Sequence, residues 1–274
     1  RKGVVGYDLT NLLVGCEGTL AVITALTLRL MPRPPATIGA LCIFGSMGEA
    51  MRSVARIMAA GHLPSAIEFL DHRCLALIGE MLPFSLPSGK PSLLLIELDG
   101  PAAQIAPEMD TVLALAKDEG AIHCRKAPNE QDRQQIWEVR RQVSLRIHDQ
   151  APLYIPEDVA VPLSRIAELV DVLPDYETRY GVEIFAFGHA GDGNIHLNIT
   201  SQYPKERELA EAGVLALLKR VLAMGGTLSG EHGIGLAKKQ FLPLELSPTS
   251  IGLQQGIKRL FDPNLILNPG KIFP

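Results

Sequence analysis

Phe187-Gly-His-Ala-Gly-Asp-Gly-Asn-Ile-His-Leu-Asn198 places an Asp-Gly pair between two runs of strand-forming residues. Asp192 and Gly193 suit the positive φ angles of a two-residue type I′ turn, so the stretch predicts a tight antiparallel hairpin. With that turn, His189 pairs with His196 across the two strands. Because side chains alternate along a strand, Asn198 lies on the same face as His196.

Two opposed histidines suggest a metal site. Directly opposed residues on one face have Cβ atoms roughly 4.5–5.5 Å apart, close enough for His189 and His196 to share an ion. Two imidazoles suit zinc or a similar divalent ion, and a catalytic zinc site commonly adds a carboxylate and keeps one position open. Ser229-Gly-Glu-His-Gly-Ile-Gly235 offers Glu231 as that carboxylate, on a backbone that glycines make adaptable. His232 then acts as a base beside the metal, because adjacent residues cannot easily both point at one ion.

The alternative interpretation of these two segments is structural. A single histidine in a strand is usually packed or hydrogen-bonded, and a glycine-rich loop can be a surface turn.

A third feature is a helical stripe formed by Trp137, Arg140 and Ser144. The planar guanidinium of Arg140 matches the geometry of a carboxylate, so Arg140 is a candidate substrate clamp. Glu138 and Arg141 belong to the same helix. The alternative interpretation is therefore that Arg140 is one of several solvated surface charges.

The composition predicts a globular enzyme, since 274 residues with 47% hydrophobic content can bury one large core or two modest ones. A net charge of −4 gives no reason to expect nucleic acid as a partner, and small molecules fit better. No apolar run approaches the roughly 18–20 residues of a membrane span. The four cysteines form no CxxC pair and no secretory signal is present, which predicts reduced thiols in a cytoplasmic setting.

Short apolar strands alternate with amphipathic helices after the proline-rich segment 32–35, which predicts an α+β domain. Strands are predicted at 38–44, 66–70, 93–98 and near Val159; helices are predicted at 47–60, 102–118, 130–148, after a cap at Ser164, and between Tyr203 and Met224. The two rounds of strands and helices are candidates for related halves. Residues 8–31 are predicted to turn around Gly15 and Gly18 and then to run extended. The start at Arg1, without an initiator Met, predicts a fragment.

Seven segments together resemble the flavin-linked oxidase family that includes the glycolate oxidase flavin subunit, D-lactate dehydrogenases and D-2-hydroxyglutarate dehydrogenase. In the family's order they are GYDLTNLLVGCEGTLAVIT, PSAIEFLD, IWEVR, PEDVAVP, GHAGDGNIHLN, SGEHGIG and DPNLILNPGKIFP. The resemblance spans the chain and implies an α+β cap domain, with a ferredoxin-like antiparallel sheet covered by helices. Residues 1–34 would be the C-terminal remnant of a FAD-binding domain. Residues 35–274 would be the cap and substrate domain, with a C-terminal segment that returns to the flavin.

The resemblance also assigns roles to individual residues. It implies metal ligation by His189, His196 and Glu231, a catalytic base at His232, and substrate contacts from Arg140 and Asn198. The residues that would lie along FAD are Glu17, Gly18, Thr19, Ile23 and Asn268. The family often has Ser and Gly where this chain has Cys16 and Ala21.

The implied function is oxidation of a small 2-hydroxy acid of the glycolate or D-lactate type to a 2-oxo acid, by hydride transfer to FAD with a divalent metal, zinc, at the substrate hydroxyl. FAD would need an N-terminal part that this sequence lacks. The implied partners are an iron–sulfur subunit or a second flavin subunit, which would bring the protein to a membrane peripherally. Two alternatives stay open: a zinc-dependent hydrolase and a non-catalytic substrate- or metal-binding fragment.

Overall fold

In the computed structural model, which describes residues 5–82, 84–127 and 129–274, the chain forms two compact units. The larger unit is Pro32–Gly230, and the smaller unit combines the residues up to Met31 with Glu231–Pro274. The chain enters the larger unit at the proline-rich segment and leaves it after Gly230. The assignment of these parts to a FAD-binding domain and a cap domain stays a prediction.

A single antiparallel sheet organises the larger unit. Its strands are β1 (Ala36–Phe44), β2 (Ala66–Leu70), β3 (Ser92–Gly100), β4 (His123–Lys126), β5 (Leu153–Ala160), β6 (Glu183–His189) and β7 (Asn194–Ser201). They lie in the order β4-β1-β3-β2-β6-β7-β5, and every neighbouring pair is antiparallel. The antiparallel sheet that the sequence predicts is therefore confirmed.

Helices lie in both units. Along the described chain they are α1 (Leu9–Leu13), α2 (Met47–Ala59), α3 (His72–Ile78), α4 (Ala102–Asp118), α5 (Glu130–His148), α6 (Ile166–Tyr180), α7 (Arg207–Ala223), α8 (Leu242–Glu245) and α9 (Pro248–Phe261). The larger unit contributes helices α2 to α7, and the smaller unit contributes α1, α8 and α9. Helices α3 and α5 pack on the face that carries Leu41, Leu95 and Phe187. Helices α2, α4, α6 and α7 contact one another and cover the opposite face. Among the described residues, no helix combines the length and apolar character that crossing a bilayer requires.

The larger unit consists of two halves with the same topology. The first half runs β1-α2-β2-α3-β3-α4-β4, with α3 inserted between β2 and β3, and its strands lie as β4-β1-β3-β2, which is the ferredoxin-like order. The second half runs β5-α6-β6-β7-α7 and lies as β5-β7-β6. After α7, Thr227 forms an isolated bridge to Ala160 of β5, in the place that β4 takes beside β1. The halves meet where β2 pairs with β6.

The central hairpin differs from its prediction in register. His189 pairs with Asn194, and His196 pairs with Phe187, so the two histidines are diagonal rather than direct neighbours. The reason is the turn: the amide of Gly193 donates to the His189 carbonyl over 3.1 Å, which closes a loop of four residues instead of two. An even difference in loop length keeps the same side chains on each face, so both histidines still share one face.

A predicted helix cap is wrong, and a segment predicted to run extended does not pair into a strand. Ser164 does not cap α6, because the chain enters this helix through a 3-10 turn at Leu163–Arg165, and the residue before the helix, Arg165, makes no side-chain cap. Residues 21–34, all of them described, form no helix or strand. β-branched residues favour an extended backbone, but a strand also needs a neighbour for its amide groups, and side chains such as Val22 and Leu28 are more than 70% exposed here.

Loops of the smaller unit are anchored by a buried ion pair. The Lys258 ammonium donates to the Asp262 carboxylate, to the Thr19 carbonyl over 2.6 Å and to the Leu267 carbonyl over 2.8 Å. Asp262 also accepts from the amides of Ile266 and Leu267. Burial opposes ionisation, but the hydrogen bonds from Lys258 and these amides outweigh it and lower the pKa of Asp262 below its usual value.

We predict that Gly193→Ala destabilises the larger unit by about 2–4 kcal/mol. Gly193 has a φ of +86°, and an added Cβ would overlap the Val161 carbonyl oxygen. Gly191→Ala is the matched control, because a Cβ there meets nothing within 4 Å. Urea unfolding of both variants measures the difference, and equal midpoints would show that the hairpin turn is more adaptable than its geometry indicates.

We predict that acid loosens the smaller unit through Asp262. A carboxyl whose folded pKa lies below its unfolded value of 3.8 stabilises the fold above that value, and the contribution is lost as pH falls through the folded pKa. Hydrogen-exchange protection of the Ile266 and Leu267 amides should therefore decline below about pH 4. In Asp262→Asn the protection should already be low at neutral pH and change less with acid; an unchanged profile would contradict the assignment.

Candidate functional site

Four neighbouring strands place acidic and imidazole side chains on the face that α3 and α5 cover. Glu68 of β2 pairs directly with His189 of β6, and Asp158 of β5 pairs directly with His196 of β7. Since β6 and β7 are adjacent, the side chains follow one another as carboxylate, imidazole, imidazole, carboxylate. We call these four residues the acid–histidine row.

Distances within the row are short. Nδ1 of His189 lies 2.5 Å from Oε1 of Glu68, and Nδ1 of His196 lies 3.6 Å from Oδ1 of Asp158. The two imidazole rings are 5.4 Å apart at their centres and nearly perpendicular, with an angle of 84°. The carboxylate side chains are 6% and 1% exposed, whereas those of His189 and His196 are 34% and 13% exposed. Buried acids therefore support imidazoles that solvent can reach.

This geometry fits a metal ion. Metal-binding histidines usually give one ring N–H to a carboxylate, which fixes the tautomer and makes the other nitrogen the ligand. Glu68 has that position at Nδ1 of His189, so Nε2 would be the atom that binds a metal. Two imidazoles on a tetrahedral zinc have ring centres roughly 5 Å apart, given Zn–N bonds of about 2.0–2.1 Å. The 5.4 Å between the ring centres of the diagonal pair is close to this separation, and metal ligation by the two histidines stays a prediction.

Sequence reasoning missed the two acids of this row. Glu68 and Asp158 lie in PSAIEFLD and PEDVAVP, segments quoted only as family signatures. A signal was present, because each acid interrupts an apolar strand. An acid buried in a strand needs a partner, and the partner of each became visible only with the strand order.

Arg140 of α5 contacts the acid–histidine row from the side of the sheet that α5 covers. Its Nε donates to Oε2 of Glu68 over 2.9 Å, and its guanidinium lies 4.3 Å above the Phe187 ring. The side chain is only 13% exposed, so the interpretation as solvated surface charge is wrong. Trp137, one turn earlier, donates from Nε1 to Glu97 over 2.7 Å, so this part of the predicted stripe faces the sheet.

Asn198 lies on the same face, two residues beyond His196. The side chain is held by Tyr154, whose hydroxyl donates to Oδ1 of Asn198 over 2.6 Å. Burial raises the pKa of Tyr154, which keeps this hydroxyl protonated and donating. The residue is 4% exposed, and its Nδ2 is a buried donor that has no hydrogen-bond partner among the described residues. Such a donor costs about 1–3 kcal/mol unless an acceptor reaches it.

A cleft of about 440 Å³ opens beside Glu68 and His189. Its walls include the apolar side chains of Met58 and Leu63 and the turn residue Asp192. This volume is in the range of small-molecule sites, which are mostly apolar with a few placed polar groups.

Glu231 and His232 belong to the smaller unit, where both are exposed. The residues just before them pack within the larger unit. Ser229 donates to Asp158 over 3.2 Å, and a Cβ at Gly230 would overlap the side chain of Asn194. The roles of Glu231 and His232 stay predictions.

Three of the five residues predicted along FAD form one cluster in the smaller unit. The Glu17 carboxylate accepts from the amides of Ile234 and Gly235 over 2.8 and 2.7 Å, and Nδ2 of Asn268 donates to the Glu17 carbonyl over 2.5 Å. Gly18 has a φ of +68°, and an added Cβ would lie 2.6 Å from Nδ2 of Asn268.

The other two predicted FAD residues lie apart from this cluster. Thr19 is buried, and its hydroxyl donates to the Cys16 carbonyl over 2.7 Å. Ile23 is 56% exposed. The Glu17 side chain thus binds the loop at 234–235, whereas the Thr19 side chain bonds within its own loop.

Curated proteins resemble the chain along almost its whole length. The chain is 36% identical over 274 residues to glycolate oxidase subunit GlcD of Bacillus subtilis (strain 168), covering 99% of this chain and 58% of the relative. It is 34% identical to the probable mitochondrial D-lactate dehydrogenase of Danio rerio, covering 99% of this chain and 55% of that protein. The chain therefore spans little more than half the length of these relatives.

The fold is shared with solved structures. An alkyldihydroxyacetonephosphate synthase superimposes with a TM-score of 0.65 at 16% identity, over 98% of this chain and 50% of that one. Identity at this level shows the fold alone. The family described as "FAD linked oxidases, C-terminal domain" matches residues 33–272. With this match and the curated relatives, the chain belongs to the C-terminal domain family of FAD-linked oxidases.

Proposed function

We propose that this chain supplies the substrate- and metal-binding part of a FAD-dependent oxidoreductase that converts a small 2-hydroxy acid to its 2-oxo acid. The observation that carries the proposal is the acid–histidine row beside a buried amide donor on one sheet face. Relatives named glycolate oxidase and D-lactate dehydrogenase support glycolate or D-lactate as the substrate type.

The proposed metal ligands are His189, His196 and Glu231, and the donor set of two nitrogens and one oxygen suits zinc. The proposal is supported by Glu68, because its carboxylate holds His189 in the tautomer that a ligand requires. A bound divalent ion would lower the pKa of a coordinated hydroxyl group.

Arg140 and Asn198 are proposed to bind the substrate. A 2-hydroxy acid carries a carboxylate with acceptor oxygens only, so it complements a guanidinium and an amide N–H. Tyr154 fixes Oδ1 of Asn198, which leaves Nδ2 as the atom that donates to such an oxygen.

The proton of the substrate hydroxyl is proposed to pass to His232. FAD, when bound, supplies the acceptor for the hydride from the substrate carbon. Glu17, Gly18, Thr19, Ile23 and Asn268 are proposed to line its site. For Glu17 and Thr19 the proposed contribution is through the loop backbone, since their side chains bond within the smaller unit.

Companion subunits are also a proposal. Two relatives are named as a subunit of glycolate oxidase, which makes further subunits, including an iron–sulfur or second flavin protein, reasonable partners. Co-purification of the tagged protein with identified subunits would test this.

The test of function is anaerobic reduction of flavin. The FAD-loaded protein is mixed with glycolate, D-lactate, L-lactate or D-2-hydroxyglutarate, and loss of oxidised-flavin absorbance is followed. Reduction of the flavin by one of these acids supports the proposal. If His232→Ala keeps its metal but no longer reduces the flavin, the role of His232 as the base is supported. Stable oxidised flavin with all acids, in protein that holds metal and FAD, would contradict it.

We predict that Glu68→Gln weakens metal binding by about 10–100-fold, the usual effect of removing an outer-shell carboxylate. The variant keeps the shape of the side chain but removes the charge that holds His189 and Arg140. Glu97→Gln is the matched control, since Glu97 lies on the same face and binds Arg133 and Trp137 instead. Competition titration with a chelator measures the affinities, and equal losses in the two variants would indicate a general loss of stability.

We predict that Asn198→Asp lowers kcat/KM for the 2-hydroxy acid by about 10–100-fold, because it replaces a donor with a charge that repels the substrate carboxylate. Tyr154→Phe should give a smaller loss, since it removes only the group that orients Asn198. Metal content, measured in both variants, should stay at the wild-type level. A wild-type kcat/KM in Asn198→Asp would remove Asn198 from the substrate site.

A further inference from the structure

Two cysteines that are far apart in sequence meet at the edge of the sheet. Cys42 of β1 pairs with Cys124 of β4, and their Sγ atoms lie 2.7 Å apart. Both are free thiols. Neither belongs to the acid–histidine row, and the proposed function gives them no role.

The strand register places the pair at a position that permits a disulfide. The Ala127 amide donates to the Gly39 carbonyl over 2.8 Å, which marks residues 39 and 127 as a hydrogen-bonded pair. Hydrogen-bonded and non-hydrogen-bonded pairs alternate along an antiparallel ladder, so Cys42 and Cys124 form a non-hydrogen-bonded pair. The Cα atoms of such a pair are about 4.5 Å apart, inside the range of about 4.4–6.8 Å that a disulfide spans. The bond can therefore form without moving the strands.

The environments of the two thiols differ. Cys42 is fully buried, and the hydrogen bond with Cys124 together with burial raises its pKa well above the usual value. Cys124 is half-buried, and the hydrogen bond from Cys42 lowers its pKa, with a further contribution from Lys117. Cys124 therefore has the properties of an attacking thiolate. Cys42 has the properties of a resolving thiol, which attacks the sulfur of oxidised Cys124.

We propose that Cys42 and Cys124 are a redox modification site, which closes to a reversible intramolecular disulfide on contact with a peroxide. The Cys124 thiolate attacks one peroxide oxygen, the O–O bond breaks, and the released oxygen takes a proton and leaves as water or alcohol. The resulting Cys124 sulfenic acid is attacked by Cys42 sulfur. The S–O bond breaks, and the hydroxide leaves as water with the Cys42 proton. The two cysteines are oxidised by two electrons, and the peroxide is reduced by two.

The bond would link the edge strand β4 covalently to β1. β4 has only β1 as a neighbour in the described sheet and contributes four residues, so it depends on few hydrogen bonds. A disulfide removes the open arrangements in which this strand separates.

The test uses the full chain, reduced and then treated with stoichiometric hydrogen peroxide. After blocking the remaining thiols in denaturant, two of the four cysteines should be unreactive. Trypsin should release one species in which peptide 30–52 is linked to peptide 118–125, since these contain Cys42 and Cys124. Dithiothreitol should restore both thiols, and hydrogen exchange at 123–126 should be slower in the oxidised protein.

Cys124→Ser is the main control, because this position is half-buried and tolerates a small polar side chain better than Cys42 does. It should lose the linked species, and circular dichroism checks that it folds. The proposal would be overturned by four reactive thiols after treatment, by over-oxidation of Cys124 without a link to Cys42, or by a disulfide between two chains.

Discussion

The antiparallel pairing of β2 with β6 joins the two halves of the larger unit into one sheet, and the site depends on it. At this junction Glu68 lies opposite His189. The first half supplies Glu68 and the second half supplies His189, His196 and Asp158, so neither half alone contains the whole acid–histidine row. Because main-chain hydrogen bonds fix the register, a shift of one residue would turn His189 to the other face of the sheet.

Buried charge explains why so many polar groups gather at this junction. Glu68 is nearly inaccessible to solvent, and a carboxylate in such a place is stable only with good partners. Arg140 and His189 together satisfy both of its oxygens. Removing one partner would leave an uncompensated charge, so the three side chains act as one unit rather than as independent contributions. Asp158 is also buried; its Oδ2 accepts from Ser229, and its Oδ1 lies 3.6 Å from Nδ1 of His196.

The sheet gives its centre and its edge different chemistry. Strands β2, β6, β7 and β5 present the acid–histidine row, and β7 also carries the Asn198 amide. The edge strand β4 instead carries Cys124 beside Cys42. In the strand order, β3 separates the cysteine pair on β4 and β1 from Glu68 on β2, the nearest residue of the row.

Much of this arrangement is local and could be predicted from the sequence. Apolar periodicity located the strands and helices, with 102–118 matching α4 in both bounds, and Asp-Gly marked the hairpin that carries both histidines. Because side chains alternate along a strand, His189, His196 and Asn198 lie on one face whether the hairpin loop has two residues or four. Tertiary structure decided what is not local: the four-residue turn, the partners of Glu68 and Asp158, the burial of Arg140, and the meeting of Cys42 with Cys124. Strand order brings these groups together across long sequence separations, and no periodicity in one segment encodes which other segment will lie beside it.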